Sequence, residues 1–140
     1  MKKKTVIATV ALTVVLAMGG VLVWNYLNYW DYLKEIAHET GRWAVIEDVN
    51  GDHIAVEPTR DEVWSRLVGL HRNQTVRWIG GIVEGYGNKW GFRFKPENIT
   101  IAEVTAEGLQ ATIRYISENL DYWLGIKWAY VSAKVTEIHD

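Results

Sequence analysis

The sequence predicts an α+β protein in which an N-terminal transmembrane helix, extended into a stalk, precedes a mainly antiparallel sheet with two amphipathic helices packed on one side. Three observations support this prediction. An uncharged, mostly apolar stretch runs from Thr5 to Trp30, short strand-like runs are separated by turn signals, and two later segments repeat apolar residues at helical spacing. The chain of 140 residues is long enough for one folded domain besides the membrane segment.

Residues 1–30 have the pattern of a cytoplasmic basic start followed by a membrane anchor. A spanning helix requires about 20 mostly apolar residues, and the uncharged stretch is longer than that. Lys2–Lys4 precede the stretch, and the first acid after it is Asp31. The positive-inside rule therefore predicts a single-pass protein of the cell membrane, with its N-terminus in the cytoplasm and the remainder outside. A cleaved signal peptide is the alternative, because Ala17-Met-Gly19 has small residues at the spacing that a signal peptidase needs.

Aromatic residues crowd the outer end of the apolar stretch, as in the aromatic belt where a helix leaves the bilayer. The lipid bilayer is therefore an expected partner of this segment. Helical spacing continues through residues 31–41 without proline, and Gly41 is a suitable end, so a juxtamembrane stalk helix is expected there. A pilin-like subunit is a minor alternative, because Met1–Thr5 lacks the glycine and the downstream glutamate of a pilin processing site. The predicted membrane-interface residues are Trp24, Tyr26, Tyr29, Trp30 and Tyr32.

Residues 42–140 form the predicted extracytoplasmic head, which begins with a β-hairpin. Two strand-type runs flank Asn50-Gly51, a pair that favours the two positive φ angles of a type I′ turn. The same segment starts like a calcium loop of the EF-hand type. However, His53 stands where the turn glycine of that loop belongs, and Thr59 stands where its closing carboxylate belongs. A turn is therefore expected here, and no metal site. The two runs are Trp43–Val49 and Asp52–Val56.

The middle of the head is predicted to contain one helix and several strands. The helix extends from Arg60 to Arg72, because Thr59 and Glu62 match a capping box and apolar residues follow at helical spacing. The predicted strands are Thr75–Ile79, loosened at Gly80-Gly81 and continued by Ile82-Val83, then Lys89–Phe94 and Ile99–Val104, with turns at Gly85–Asn88 and Pro96–Asn98.

The most regular helical pattern of the chain lies between Leu109 and Trp123. Apolar residues recur there every three or four positions, and Gly125 is expected to end the helix. A last strand, Trp128–Ile138, follows and alternates apolar with polar residues. The residues predicted on its inward face are Ala129, Val131, Ala133 and Val135.

Charge and composition exclude several function classes. Removing the three leading lysines leaves 12 basic and 17 acidic residues, a net charge of −5, so a nucleic-acid partner is not expected. The chain has no cysteine, which excludes disulfides, thiolate catalysis and zinc–thiolate sites. His38–Arg42 lacks the second histidine of the zinc protease motif. We therefore expect neither a cofactor nor a metal.

Three aromatic-rich segments share one pattern of similarity: Trp90–Ile99, Ala102–Val104 and Trp128–Val135. Together they resemble the small domain at the N-terminus of a slime-mould calmodulin-binding protein and of its prokaryotic relatives. The similarity covers about residues 75–138. It implies a compact α/β module, brings no catalytic residues, and does not imply that this head binds calmodulin. Members often have cysteine where this chain has Thr105 and Ala129, so no thiol role is expected.

Aromatic residues are the candidate ligand-binding residues. Six of the eight tryptophans follow the membrane segment, and the core is the expected place for most of them. Tyr86 lies in the glycine loop, whereas Trp128 and Tyr130 share the outward parity of the last strand. These three side chains are predicted to form an aromatic platform for a glycan or an envelope protein.

The sequence contains no recognisable catalytic residues. Its serines lack the Gly-x-Ser-x-Gly elbow of a hydrolase, and its glycine loop precedes a strand rather than a helix. The expected function is a membrane-anchored, extracytoplasmic binding or interaction module without catalysis. An envelope hydrolase is the alternative, if folding assembles a pair of carboxylates. The acids considered for such a pair are Glu84, Glu97, Glu103 and Glu107.

Overall fold

A computed structural model of the chain describes residues 41–140. The predicted anchor, the five predicted interface aromatics and residues 31–40 of the stalk lie outside the described residues. Within residues 41–140, none of the helices has the length and apolar character needed to cross a membrane.

The head is a mainly antiparallel β-structure with a few helices, as the sequence predicts. The strands of the described region are β1 (Trp43–Asp48), β2 (His53–Val56), β3 (Arg77–Gly85), β4 (Phe92–Phe94), β5 (Thr100–Ala102), β6 (Gln110–Ala111) and β7 (Trp128–His139). The helices are α1 (Asp61–Asn73), α2 (Ile113–Glu118) and α3 (Leu120–Ile126), with 3₁₀ turns at Pro96–Asn98 and Glu107–Leu109.

The sheet has the order β2-β1-β7-β3-β4 and curls into a nearly closed barrel. β5 pairs with β3 beyond the end of β4, and the short β6 pairs with β7 in parallel. The open side of the barrel lies between β2 and β4. There the Trp90 indole Nε1–H donates a hydrogen bond of 2.7 Å to the His53 carbonyl oxygen. This bond ties the two ends of the sheet together.

The hairpin is confirmed, but its turn is not of type I′. Only Gly51 has a positive φ, of 79°, and Asn50 does not. The Gly51 N–H donates to the Asp48 carbonyl oxygen, and strand pairing resumes between Glu47 and His53. A single residue in the left-handed region after a turn is the geometry of a longer hairpin loop. The Asn-Gly pair therefore marks the position of the turn and not its type.

The predicted capping box at the start of α1 is wrong. The N-cap is Arg60, which has an extended backbone, and no side chain accepts a hydrogen bond from the first turn. The Thr59 N–H donates instead to the Pro96 carbonyl oxygen, so Thr59 belongs to a loop contact. Asp61 and Glu62 still favour this end, since negative charge interacts well with the N-terminus of a helix.

The single helix predicted between Leu109 and Trp123 is divided. Gln110–Ala111 is strand β6, and α2 begins only at Ile113, after Thr112 caps it by accepting a hydrogen bond from the Tyr115 N–H. α2 and α3 meet at Asn119, whose side-chain amide donates to the Tyr115 carbonyl oxygen. Such a side-chain bond competes with the helical backbone bonds.

Two predicted strands are shorter in the structure, and one is longer. The third strand runs without interruption through Gly80 and Gly81 to Gly85, so these glycines do not loosen it. A Cβ atom added to Gly80 would lie 2.0 Å from the Ala129 carbonyl oxygen, and one added to Gly81 would lie 2.7 Å from the Asn98 carbonyl oxygen. The glycines are required for the close approach of neighbouring backbone. The shorter strands are β4, which starts at Phe92 rather than Lys89, and β5.

One apolar core fills the interior and includes residues from the sheet and from all three helices. The alternation predicted for β7 is confirmed, because its inward residues are at most 1% exposed. Trp43, Trp64 and Trp123 are buried, as expected for most tryptophans. Trp78, Trp90 and Trp128 remain partly exposed. Half of the tryptophans of the head are therefore available at its surface.

Candidate functional site

One face of the β3–β7 pair points away from the core. The register pairs Trp78 with Ser132 and Ile82 with Trp128, and directly paired residues point to the same side of an antiparallel sheet. These four side chains are partly exposed, whereas the alternate residues that lie between them on both strands are buried. We call this surface the outer sheet face. Its members are Trp78, Gly80, Ile82 and Glu84 of β3 and Trp128, Tyr130 and Ser132 of β7.

Two aromatic rings lie side by side at the centre of this face. The ring centroids of Trp128 and Tyr130 are 6.5 Å apart, and their planes differ by 11°. The Tyr130 hydroxyl lies 2.8 Å from Thr100 Oγ1, on β5. Gly80 is the β3 partner of both Tyr130 and Thr100, so the tyrosine ring crosses the one intervening position that has no side chain. The hydroxyl bond and the glycine together hold this ring in place.

An unusual backbone conformation precedes Trp128. Lys127 has φ 75° and ψ −51°, a region that residues with a side chain seldom adopt. Its N–H donates to the Trp123 carbonyl oxygen, and its own carbonyl oxygen accepts a bond of 2.7 Å from the Val83 N–H. The turn that ends α3 therefore enters the sheet directly, and Trp128 is the first residue of β7.

Tyr86 follows β3 immediately and is linked to the outer sheet face through Arg93. The Arg93 guanidinium carbon lies 4.4 Å from the centroid of the Tyr86 ring, and Arg93 Nε donates to Glu84 Oε1 at 2.7 Å. Asn88 shapes the loop, because its side chain donates to the Phe92 carbonyl oxygen and accepts from two backbone N–H groups. The three residues predicted from sequence thus lie along one side of the head, with Tyr86 at its end.

A shallow, open depression of about 440 Å³ adjoins the opposite end of the outer sheet face. Trp78 and Ser132 contribute to both surfaces. The remaining walls come from the β1–β2 turn and from the segment between β6 and α2. We call it the Trp78 depression. Its lining residues are Asp48, Val49, Trp78, Gln110, Ala111, Thr112, Tyr115 and Ser132.

Asp48 anchors the side of this depression and is 6% exposed. Its Oδ1 accepts hydrogen bonds from the N–H groups of Asn50 and Asp52, at 3.0 and 3.1 Å. Its Oδ2 accepts one from the buried Ile113 N–H, at 2.9 Å. The carboxylate therefore joins the hairpin turn to the start of α2. The residue that suggested a calcium loop serves a structural purpose here.

A second contact strengthens the same junction. Arg114 donates a hydrogen bond of 3.1 Å to Asp52 Oδ1. This hydrogen bond, together with the negative charge of Asp52, raises the pKa of Arg114 above its ordinary value. Asp52 Oδ2 is buried and has no hydrogen-bond partner among the described residues. The hairpin turn and α2 are therefore linked by two carboxylates from neighbouring positions.

The acids considered for a hydrolase are not gathered by the contacts that the structure shows. Glu84 pairs with Arg93, and Glu103 lies 3.8 Å from Arg77. Neither contact brings two carboxyl groups together, and the hydrolase interpretation stays a prediction. Over residues 41–140, no group of three or more histidine and acidic side chains is arranged to hold a metal ion.

Sequence reasoning missed the Trp78 depression. Its walls come from four separate parts of the chain, and only strand parity hinted that Trp78 and Ser132 share a face. The Asp48 signal was visible in the sequence, but it indicates a turn and not a cavity.

Comparison with known proteins identifies one family. Residues 42–140 match a family model that describes the N-terminal domain of a calmodulin-binding protein. This match confirms the resemblance found in the sequence and extends it from about residue 75 back to residue 42. No curated protein and no solved structure matches the chain.

Proposed function

We propose, on the premise that the chain belongs to the N-terminal domain family of that calmodulin-binding protein, that residues 42–140 act as a non-catalytic binding module. The outer sheet face is its contact surface, and an envelope protein or a glycan is its ligand. The N-terminal segment tethers the module to the outside of the cell membrane. The observation that carries the proposal is the parallel pair of partly exposed rings, Trp128 and Tyr130, on a face that also includes Trp78.

Physical chemistry favours binding at this face. Large aromatic side chains dominate the energy of contact surfaces because each removes much apolar area from water while retaining a polar group. Here both rings are positioned before any ligand arrives, since Tyr130 is bonded to Thr100 and Trp128 starts a strand that is paired with β3. A preorganised surface loses less conformational entropy on binding.

The tether is supported by the sequence alone. The uncharged stretch from Thr5 to Trp30 has the length of a membrane span, and the lysines before it favour a cytoplasmic N-terminus. A head that faces outward and carries an aromatic face is suited to ligands of the cell envelope.

Binding is tested with the full chain, purified in detergent and screened against immobilised envelope glycans and membrane proteins. We expect the Trp128→Ala and Tyr86→Ala variants to lose most of the binding found for the wild type. Tyr122→Ala is the matched control, because Tyr122 is a 57% exposed aromatic residue of α3 and not a member of the outer sheet face. Equal binding by Trp128→Ala and Tyr122→Ala would refute the proposed surface.

The orientation is tested separately by adding protease to intact cells that express the chain. We expect the head to be degraded without lysis, because it faces outward. Protection in intact cells, followed by degradation after lysis, would reverse the orientation and remove the support for an envelope ligand.

A further inference from the structure

The Trp78 depression continues the outer sheet face without a break. Ser132, Tyr130 and Trp128 are successive outward residues of β7, and each step of two residues along a strand covers about 7 Å. Gln110, on the wall of the depression, pairs with Tyr130 across β6 and β7. An extended ligand that lies on the two rings can therefore place its end in the depression.

The walls combine apolar surface with hydrogen-bonding groups that are not used within the protein. Trp78 and Tyr115 contribute aromatic rings, and Tyr115 is 51% exposed. Over the described part of the chain, the Ser132 hydroxyl and the Trp78 indole N–H have no hydrogen-bond partner. The Gln110 amide nitrogen donates to the Thr105 carbonyl oxygen, which leaves the amide oxygen as an acceptor. The depression thus offers both donors and acceptors beside aromatic rings.

The charge of the depression limits the ligand. Asp48 is the charged residue among those that line it, and three backbone N–H groups already bond to its carboxylate. No lysine or arginine belongs to the lining, so an anionic group would meet a carboxylate without a compensating cation. The favoured ligand is uncharged, with an apolar face and several hydroxyl groups.

We infer that the Trp78 depression is a subsite for one uncharged sugar ring at the end of a glycan that lies along Tyr130 and Trp128. This inference rests on the proposed function and names the ligand class of the same surface. A sugar ring matches the site because its C–H face packs on aromatic rings while its hydroxyl groups bond to neutral polar side chains. The volume of about 440 Å³ lies within the range of about 300–1,000 Å³ for small-molecule pockets.

A peptide strand suits this surface less well. Addition of a strand requires an unpaired sheet edge with free backbone N–H and C=O groups. At the depression, β7 already lies between β6 and β3. The neighbouring β5 is covered where Arg66 donates to its Ile101 carbonyl oxygen. The outer sheet face therefore offers side chains rather than backbone to a ligand.

The inference is tested by calorimetric titration of the full chain in detergent. The probes are neutral hexasaccharides of glucose, mannose and N-acetylglucosamine, and a β-1,4-linked hexaglucuronate serves as the anionic match of cellohexaose. We expect at least one neutral hexasaccharide to bind and the hexaglucuronate to bind at least about tenfold more weakly than cellohexaose. Tyr115→Ala should weaken the neutral ligand about tenfold, and Ser132→Ala about threefold.

Matched variants separate a subsite from a loss of fold. Tyr122→Ala and Ser65→Ala remove an exposed tyrosine and an exposed serine away from the depression, and both should bind like the wild type. Thermal unfolding of each variant checks that it is folded. Ser132→Ala changes a single partly exposed hydroxyl, so it remains informative if Tyr115→Ala unfolds, since Tyr115 packs its ring edge on Trp123.

The outcomes distinguish this inference from the proposed function. If Trp128→Ala weakens a neutral glycan but Tyr115→Ala and Ser132→Ala do not, the subsite is wrong and the binding face stands. Binding of proteins alone, or equal binding of the hexaglucuronate and cellohexaose, also overturns the subsite only. A wild-type chain that binds neither glycans nor proteins overturns both.

Discussion

Replacing Asp48 by asparagine is expected to destabilise the head far more than the same replacement at an exposed aspartate. The two side chains have nearly the same shape, so the change leaves packing intact and replaces one acceptor oxygen by an NH₂ group. In the wild type, the Asp48 carboxylate accepts hydrogen bonds from the N–H groups of Asn50, Asp52 and Ile113. An amide cannot accept all three in this arrangement.

The magnitude follows from the bonds that remain. In the better orientation, the amide oxygen keeps the two hairpin bonds, and the NH₂ group faces the Ile113 N–H. An unsatisfied buried donor costs about 1–3 kcal/mol. The two remaining bonds pass from a charged to a neutral acceptor, which weakens each by about 1 kcal/mol. We therefore expect the free energy of unfolding to fall by about 3 kcal/mol.

Denaturant unfolding of the full chain, followed by tryptophan fluorescence, measures this difference, because Trp43, Trp64 and Trp123 are buried and report on the core. Asp61→Asn is the matched control. The Asp61 side chain is 93% exposed and pairs with Arg42, so its replacement should cost about 0–1 kcal/mol. A loss below about 1 kcal/mol for Asp48→Asn, or a loss equal to that of Asp61→Asn, would refute the assigned role of the carboxylate.

Three further predictions concern stability and use the same unfolding measurement. Gly80→Ala should cost at least about 1–3 kcal/mol because its Cβ meets backbone atoms, whereas Gly85→Ala, with open space around it, should not destabilise the head; similar values for the two would contradict the close approach. Lys127→Gly should stabilise by about 1 kcal/mol by relieving the positive φ, and Lys127→Ala should give no gain. Trp90→Phe should cost about 1 kcal/mol through loss of the bond to the His53 carbonyl oxygen, and no loss would show that this bond does not help to close the barrel.

Features set by neighbouring residues were predictable from the sequence. The alternation of β7 places small and branched residues inward every second position, and the structure shows these residues buried. The same parity correctly placed Trp128 and Tyr130 on the outward side. The hairpin position also followed from Asn50-Gly51, because a turn signal acts over only a few residues. The family resemblance, too, came from local aromatic segments.

Errors arose where a distant contact outweighed a local preference. The helical spacing from Leu109 onward is regular, yet α2 starts at Ile113, where Asp48, 65 positions earlier in the chain, accepts its N–H. The Thr59 capping pattern failed because the Thr59 N–H bonds to Pro96 of another loop. Local periodicity describes which residues are apolar, and it does not describe which backbone groups find a partner elsewhere.

The sequence by itself determined the antiparallel character of the head, the inward and outward faces of its last strand, and the aromatic residues that such a face presents. Those properties depend on the period of the backbone and on side chains that are close in the chain. Only the tertiary structure decided that Trp78, Tyr115 and Ser132 surround one depression and that Tyr130 crosses Gly80 to reach Thr100. Such arrangements depend on sheet register and on contacts between distant segments, because a shift of one residue would send each side chain to the opposite face.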